Sequence, residues 1–393
     1  MRHGAPLKRL RIVADDLTGA LDTAVGFAGA NGPVPVLRKQ SSLLNLPAAA
    51  LDIATRELAA DSLQPALETS ERFLADASLS FKKIDSLLRG HWAAEVAALW
   101  ASGSFARCVV APAFPDQGRL TVQGCLTLRE PSGHLRKADV EPIVESLTRA
   151  GLAGARSAST EDLANDTQGV AVVDIGSAQD LQGLAMAGQG WSGRTLWVGS
   201  AGLARALAGA PVPKRLQVSA PLLFVIGTAH PRTRAQLRRL RDMAPTRLIS
   251  HTPGGDPIEA ARRLCSAMHG SGRFAALTFD LPAQITAAQA DREIHEALEQ
   301  LLPQINPPPS TLFASGGQTL SLLCDSLDCS QLRAHAEWTP GVVHASMADG
   351  RWANVELISK SGAFGDDEVL VSLARSASFA SEQSSNDDHG PDE

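Results

Sequence analysis

Short apolar runs alternate with longer Ala- and Leu-rich stretches along nearly the whole chain. The apolar runs predict buried strands, and the stretches between them have the composition of helices. The predicted strands are 10–13, 51–55, 79–84, 107–111, 170–175, 195–198, 222–227, 246–250, 274–279, 311–314 and 355–359. Because strand and helix alternate, we expect an α/β protein with mostly parallel sheets flanked by helices.

The chain of 393 residues is too long for one ordinary core, so we expect two domains. Residues 211–221 contain three prolines and follow neither a helical nor a strand period, which predicts a linker. The expected domains are therefore residues 1–210 and 222–375. Residues 376–393 are mostly polar, which predicts a disordered tail.

Composition excludes several classes of function. At 44% hydrophobic and 20% charged residues, with a formal net charge of −6, the chain is typical of globular proteins and lacks the basic surface of a nucleic-acid binder. Five scattered cysteines without a C-x-x-C pair predict a reduced, cytoplasmic protein. No signal peptide or membrane-spanning run is predicted. The expected partner is a small molecule, and homo-oligomerisation stays open.

Three acidic residues lie around the end of the first predicted strand. Asp15 and Asp16 follow it directly, and Asp22 lies in the helix predicted to begin at about Ala20. Ligands of open α/β sheets bind at the carboxyl ends of strands. Adjacent carboxylates repel each other unless a cation, a metal or a hydroxyl donor separates them. A single acid would suffice as a helix N-cap, so we expect a functional pair, with capping as the alternative.

A second polar cluster follows the predicted strand 79–84. Lys83, Asp85, Ser86 and Arg89 make a donor-rich loop that suits a small anion, because arginine can bind a carboxylate through two N–H groups. A solvated loop capped by Ser86 is the alternative. We expect His91 to be a surface or capping residue.

Two further strand ends carry tight turns. Residues 111–119 contain two prolines and a glycine, which would hold Arg119 in place. Residues 199–203 are mostly small and turn from strand to helix, a geometry that lets backbone N–H groups approach an anion. Each loop alone is a weak signal, but the fold would bring the loops at successive strand ends together.

The second half carries glycine-rich turns after three predicted strands, at 226–230, 314–319 and 360–365. Such turns bind phosphates through backbone N–H groups and helix dipoles, which predicts a nucleotide site. No G-x-x-x-x-G-K-[ST] motif is present. The one G-x-G-x-x-G, at 188–193, precedes a strand instead of following one, which disfavours a dehydrogenase.

Six motifs occur in the order seen in the four-carbon acid sugar kinases, and the chain resembles that family from residue 10 to about 372. They are ADDLTGA-DT (14–23), KKIDS-LRG (82–90), APAFP--GR (111–119), GSAGLA-AL (199–207), SGGQT (315–319) and KSG-FG (360–365). The second motif resembles the threonate/erythronate kinase branch. The resemblance implies an ATP- and Mg²⁺-dependent kinase that phosphorylates the terminal 4-hydroxyl of a sugar acid. It implies a sugar-acid-binding domain, 1–210, a nucleotide-binding domain, 222–375, and an active site in the interdomain cleft.

Applied to this sequence, the resemblance and the chemistry of phosphoryl transfer give roles to individual residues. Asp16 is expected to orient and deprotonate the hydroxyl, with Asp15 and Asp22 in support, although the order within the pair stays open. The expected substrate-binding residues are Thr18, Lys83, Asp85, Ser86, Arg89 and Arg119, with Arg89 on the carboxylate. The expected nucleotide-binding residues are Thr228, Ser315, Gly316, Gly317, Gln318, Gly362, Phe364 and Gly365. No metal ligands are assigned.

The chain departs from the family pattern at three places. Leu87 stands where the family usually has threonine, Gln318 stands where it usually has an acid, and residues 129–140 lack an Asp-Pro pair. These departures leave open an alternative, a catalytically weakened homologue that senses a sugar acid or a nucleotide.

Overall fold

The computed structural model describes residues 9–38, 46–130, 132–163, 168–209 and 218–386. The chain divides into two compact units, residues 1–212 and 213–393. Residues 211–217 of the predicted linker, 211–221, lie outside the described residues. None of the helices in the described ranges combines the length and apolar character that crossing a bilayer requires.

The main sheet of the N-terminal unit is parallel, with the strand order β2-β3-β1-β4-β11-β5-β10-β9. Its strands are β1 (Leu10–Ala14), β2 (Val34–Leu37), β3 (Ala48–Asp52), β4 (Leu79–Lys83), β5 (Arg107–Ala111), β9 (Arg156–Ala158), β10 (Gly169–Val173) and β11 (Thr195–Gly199). Three more strands form an antiparallel sheet: β6 (Arg119–Val122), β7 (Cys125–Arg129) and β8 (Leu135–Lys137). The helices are α1 (Leu17–Asn31), α2 (Gln64–Leu74), α3 (Trp92–Ala101), α4 (Ile143–Arg149), α5 (Ala178–Gly188) and α6 (Ala201–Ala208).

The sheet of the C-terminal unit is mixed. Its parallel part has the order β13-β14-β12-β15-β18, and β17 and β16 continue it as antiparallel strands. The strands are β12 (Leu222–Ile226), β13 (Leu248–His251), β14 (Phe274–Phe279), β15 (Thr311–Ser315), β16 (Gln331–Thr339), β17 (Val342–Met347) and β18 (Glu356–Lys360). The helices are α7 (Pro231–Met243), α8 (Pro257–His269), α9 (Ala287–Leu301), α10 (Gly317–Ser326) and α11 (Val369–Asn386).

Burial explains why the parallel strands were predictable. All five residues of β1 and all five of β12 are buried, as expected for strands covered on both faces. β12 is a continuous apolar run, and β1 is interrupted only by Arg11. The α/β prediction is confirmed. The sequence analysis missed β16 because buried and half-buried residues alternate along most of it, which is the pattern of a strand with one covered face.

Residues 376–386, which belong to the predicted disordered tail, form the end of α11. The helix is held by its first turns, where Leu370, Leu373 and Ala377 are buried in the apolar core of the C-terminal unit. Polar composition predicts disorder only where no neighbouring segment supplies such an anchor. Residues 387–393 lie outside the described part of the chain.

Candidate functional site

Asp15 and Asp16 leave the carboxyl end of β1, which lies between β3 and β4 in the sheet. Asp16 is the N-cap of α1, and its carboxylate accepts hydrogen bonds from the Gly19 N–H (2.8 Å) and the Thr18 hydroxyl (2.9 Å). The cap starts the helix at Leu17, earlier than predicted. The capping interpretation is therefore correct for Asp16, but it gives no reason for Asp15.

Arg56, in the loop after β3, contacts both Asp15 and Asp16. Its Nε and Nη2 donate to the two oxygens of Asp15 at 2.8 and 2.9 Å, and its Nη1 forms an ion pair with Asp16. The same guanidinium group lies 3.9 Å from Asp85. One partly buried cation thus contacts three acids from two strand ends. Sequence analysis missed Arg56, although it follows a predicted strand as the other candidates do.

These contacts, together with burial, shift the pKa values of the acids. Burial by itself would raise the pKa of Asp15, but the positive charges of Arg56, Lys82 and Lys83 outweigh it and hold that pKa below its ordinary value. Asp52, at the end of β3, has a buried carboxyl without such a clamp. Burial, together with the negative charges of Asp16 and Asp15, raises the pKa of Asp52 to about 7. Asp52 is a second titratable group that sequence analysis missed.

The loop after β4 gathers the predicted substrate-binding residues. Asp85 accepts from the Leu87 N–H at 2.8 Å and from Arg89 Nε at 2.6 Å. Ser86 accepts from Arg119 Nη1 at 2.6 Å, so the loop after β5 reaches the same place. The Arg89 side chain is 62% exposed, which leaves much of it accessible to a ligand.

Lys83 and Asp22 lie against the other side of the capped turn. A Cβ atom on Gly19 would stand 2.9 Å from Lys83 Nζ, so the missing side chain lets this ammonium group approach the first turn of α1. Asp22 lies 3.5 Å from Arg205 Nη2, and burial raises its pKa. The fold therefore brings every acid and substrate-binding residue predicted in this unit to the carboxyl ends of β1, β4 and β5.

The side chains of Lys82 and Lys83 lie on opposite faces of the sheet, because successive strand residues alternate between faces. The Nζ of Lys82 lies 2.7 Å from Glu95, and both side chains of this pair are fully buried. Glu95 also accepts a hydrogen bond from the Thr55 hydroxyl, and Thr55 precedes Arg56. The Lys82–Glu95 pair therefore anchors the loop that presents Arg56.

The small residues at 199–203 serve packing. A Cβ atom on Gly199 would lie 2.5 Å from the carbonyl oxygen of Ala111, and one on Gly202 would lie 2.8 Å from that of Ala113. Ser200 caps α6 and donates to the Ala113 carbonyl oxygen at 2.9 Å. This turn approaches the loop before Arg119, instead of presenting an open anion site.

In the C-terminal unit, the three glycine-rich turns meet around Thr228. A Cβ atom on Gly316 would lie 3.1 Å from Thr228 Cβ, and one on Gly362 would lie 2.8 Å from Thr228 Oγ1. Gly316 has a φ of +105° and directly precedes α10. Glycine is needed at both positions because the turns approach so closely, and the first turn of α10 leaves backbone N–H groups without helical partners.

The remaining predicted nucleotide residues lie in two of the glycine-rich turns. They are Ser315, Gly317 and Gln318 in the turn at 314–319, and Phe364 and Gly365 in the turn at 360–365. Gly317 and Gln318 begin α10, and Gln318 is exposed. Ser315 is buried, with its hydroxyl 3.4 Å from that of Thr233.

The Phe364 ring lies where a side chain on Gly341 would stand. The carbonyl oxygens of Phe364 and Gly365 accept hydrogen bonds from the Gln236 side chain. These last two residues shape the turn itself.

Within the described ranges, no group of three or more His, Cys, Asp or Glu side chains could hold a metal ion by itself. A magnesium ion bound through substrate phosphates needs only one or two carboxylates from the protein.

Comparison with known proteins places this geometry in a class, α/β proteins that pair a sugar-binding unit with a nucleotide-binding unit. Residues 10–207 match the sugar-binding N-terminal domain, and residues 223–370 match the nucleotide-binding C-terminal domain. The chain belongs to the family of four-carbon acid sugar kinases.

Two relatives are similar over nearly their whole length. A D-threonate kinase from Bordetella bronchiseptica is 31% identical, over 93% of this chain and 96% of the relative. A D-threonate kinase from Cupriavidus necator is 30% identical, over 91% of this chain and 95% of the relative. A solved Salmonella typhimurium structure shares the fold, with a TM-score of 0.69 and 19% identity over 92% of this chain and 98% of that one.

Removing Arg56 should change the ionisation of the acids it holds. In Arg56→Met, Asp15 keeps its burial but loses its nearest cation, so its pKa should rise above the ordinary aspartate value. Carboxyl ¹³C titration by NMR would measure this shift. Arg149→Gln, which removes an exposed arginine of the same unit, is the matched control. An unchanged pKa of Asp15 in Arg56→Met would contradict the proposed clamp.

Breaking the Lys82–Glu95 pair should destabilise the N-terminal unit. Lys82→Met leaves the Glu95 carboxylate buried without its cation, which costs about 3–5 kcal/mol when a buried pair loses one partner. Replacing both residues, as in Lys82→Met with Glu95→Leu, should recover much of that loss because no buried charge remains. Urea unfolding monitored by tryptophan fluorescence would compare the three proteins. Equal midpoints for the wild type and the single variant would refute the anchoring role.

Proposed function

We propose that this protein transfers the γ-phosphate of ATP to the terminal 4-hydroxyl of a four-carbon sugar acid, threonate or erythronate. The observation that carries the proposal is the cluster of paired acids and cations at the ends of β1, β4 and β5, in a chain whose other unit presents three glycine-rich turns. The two relatives named D-threonate kinase support this substrate class.

The charges of the N-terminal cluster suit a small polyhydroxy acid. Arg89, Arg119 and Lys83 offer donors, and a guanidinium group can bind a carboxylate through two N–H groups. Asp85 and Asp16 offer acceptors for hydroxyl groups. Because cations and acids alternate within a few ångströms, the site favours a ligand that carries one negative charge and several hydroxyls over a simple anion.

Asp16 is the better candidate for the base. Both oxygens of Asp15 are held by Arg56, and the Asp15 side chain is only 1% exposed. The Asp16 side chain is 20% exposed and can therefore reach a ligand. In the proposed step, Asp16 takes the proton of the 4-hydroxyl while that oxygen forms a bond to the γ-phosphorus, and the bond from this phosphorus to ADP breaks.

The glycine-rich turns suit the phosphates of a nucleotide. Gly316 and Gly362 let the turns approach each other beside the backbone N–H groups at the start of α10, where the helix dipole also favours an anion. We propose ATP with Mg²⁺ as the phosphate donor, and the metal would neutralise charge on the transferred group.

The purified full-length protein should release ADP in the presence of ATP, Mg²⁺ and the correct sugar acid. A coupled assay with D- and L-threonate and D- and L-erythronate measures this, and ³¹P NMR of the product identifies the phosphorylated oxygen. A longer and a shorter sugar acid serve as controls for chain length. If a sugar acid and ATP both bind but no ADP forms, the protein is a sensor and the kinase proposal is wrong.

Asp16→Asn should reduce kcat by about 10²-fold or more, because general-base loss costs that much. Binding of ATP, measured by calorimetry, should change little, since Asp16 belongs to the N-terminal unit. Asparagine is also a good N-cap, so α1 should survive the substitution. Asp61→Asn, at an exposed position of the same unit, is the control. Turnover of Asp16→Asn within a few-fold of wild type would reduce Asp16 to a helix cap.

A further inference from the structure

Lys360, the last residue of β18, is a buried lysine that has no role in the reaction proposed above. It is 1% exposed. Its Nζ donates to the Thr233 hydroxyl at 2.9 Å and to the Ser361 carbonyl oxygen at 3.3 Å. Both acceptors are neutral, so neither compensates a positive charge.

Among the described residues, no carboxylate lies within ion-pair distance of Lys360. The charged group that acts on it most is Arg232 in the first turn of α7, which is itself 3.8 Å from Asp367. His230, the N-cap of α7, is the other titratable side chain at these turns. Burial, together with the repulsion from Arg232, lowers the pKa of Lys360 to about 7.

Lys82 provides the contrast within the same molecule. It is equally buried, but its ammonium group lies 2.7 Å from the Glu95 carboxylate. A buried charge is costly unless it is paired. The pair at Lys82 is complete without a ligand, whereas the charge at Lys360 lacks a counter-ion until a ligand supplies one.

Lys360 begins one of the glycine-rich turns, 360–365, and is hydrogen-bonded to a second, 314–319. Its carbonyl oxygen accepts from the Gly316 N–H at 3.0 Å. Thr233, which accepts from the ammonium group, donates to the Gly362 carbonyl oxygen at 2.8 Å. The Thr233 hydroxyl also lies 3.4 Å from that of Ser315. An anion bound by these turns would therefore lie near the Lys360 ammonium group.

We propose that Lys360 supplies the positive charge that neutralises the nucleotide phosphates, and that it takes up a proton when the nucleotide binds. The inference rests on the proposed function, since the anion is the polyphosphate of ATP. Backbone N–H groups and helix termini offer only partial charges. A lysine that is largely neutral in the free protein above pH 7 becomes an ammonium ion when a polyanion stabilises its charged form.

Calorimetry of the full-length protein with Mg²⁺ and ATP tests the proposal. Titrations in buffers of different ionisation enthalpy give the number of protons taken up. At pH 8, Lys360 is mostly neutral before binding and charged afterwards, so we expect close to one proton per nucleotide. At pH 6, it is already mostly protonated, so the uptake should be small. Affinity for ATP should fall as the pH rises above about 7.

Two substitutions separate Lys360 from other titrating groups. Lys360→Met should abolish the proton uptake at pH 8 and raise the Kd for ATP about tenfold or more, as loss of a hydrogen bond to a charged group does. Lys360→Arg should retain tighter binding than Lys360→Met, without the uptake, because arginine stays charged. Arg238→Gln, which removes an exposed arginine of α7, should change neither quantity.

The possible failures are distinguishable. If ATP binds to the wild type without proton uptake at pH 8, the Lys360 inference is wrong and the proposed kinase stands. If the uptake persists in Lys360→Met, another group such as His230 is its source, and the inference is again wrong. If the wild type does not bind ATP, both proposals fail. The wild-type titration decides the inference even if a variant does not fold. Lys360→Met should also melt at a higher temperature than the wild type at pH 6, because it removes a buried charge that no described carboxylate pairs.

Discussion

The arrangement of the N-terminal unit depends on how two adjacent carboxylates can exist at the end of one buried strand. Asp15 and Asp16 would repel each other, and burial would drive at least one of them to its protonated form. Arg56 removes this conflict by contacting both acids. Its own position depends on a deeper pair, because Glu95 binds both Lys82 and the residue that precedes Arg56. A fully buried ion pair therefore supports the partly exposed one at the site.

The two units differ in whether their buried cations have acids beside them. In the N-terminal unit the buried cation of Lys82 and the partly buried one of Arg56 have acids beside them, so these side chains are paired without a ligand. In the C-terminal unit the Lys360 ammonium group donates to two neutral oxygens, and no described carboxylate pairs with it. The first arrangement holds the pKa of Asp15 below its ordinary value, and the second lowers the pKa of Lys360 to about 7.

The fold was largely predictable because the parallel strands are buried on both faces. They are rich in apolar residues, without interruption in β12, and helical stretches separate them. The strand β16 escaped prediction because buried and half-buried residues alternate along most of it. The polar end of α11 has a composition that predicts disorder. Its first turns are buried against other elements, and composition does not report such tertiary contacts.

Sequence alone identified the order of motifs, the family and the loops that carry polar chemistry, because the carboxyl ends of parallel strands bring such loops together. It indicated Asp16, Lys83, Asp85 and Arg119 without their partners. Only the tertiary structure decided that Arg56 contacts both Asp15 and Asp16, and that the side chains of Lys82 and Lys83 lie on opposite faces of the sheet. It also decided that no acid of the described ranges pairs with Lys360. The physical reason is that a side chain's charge depends on burial and on neighbours distant in sequence. Arg56 is 41 residues from Asp15, and Thr233 is 127 residues from Lys360.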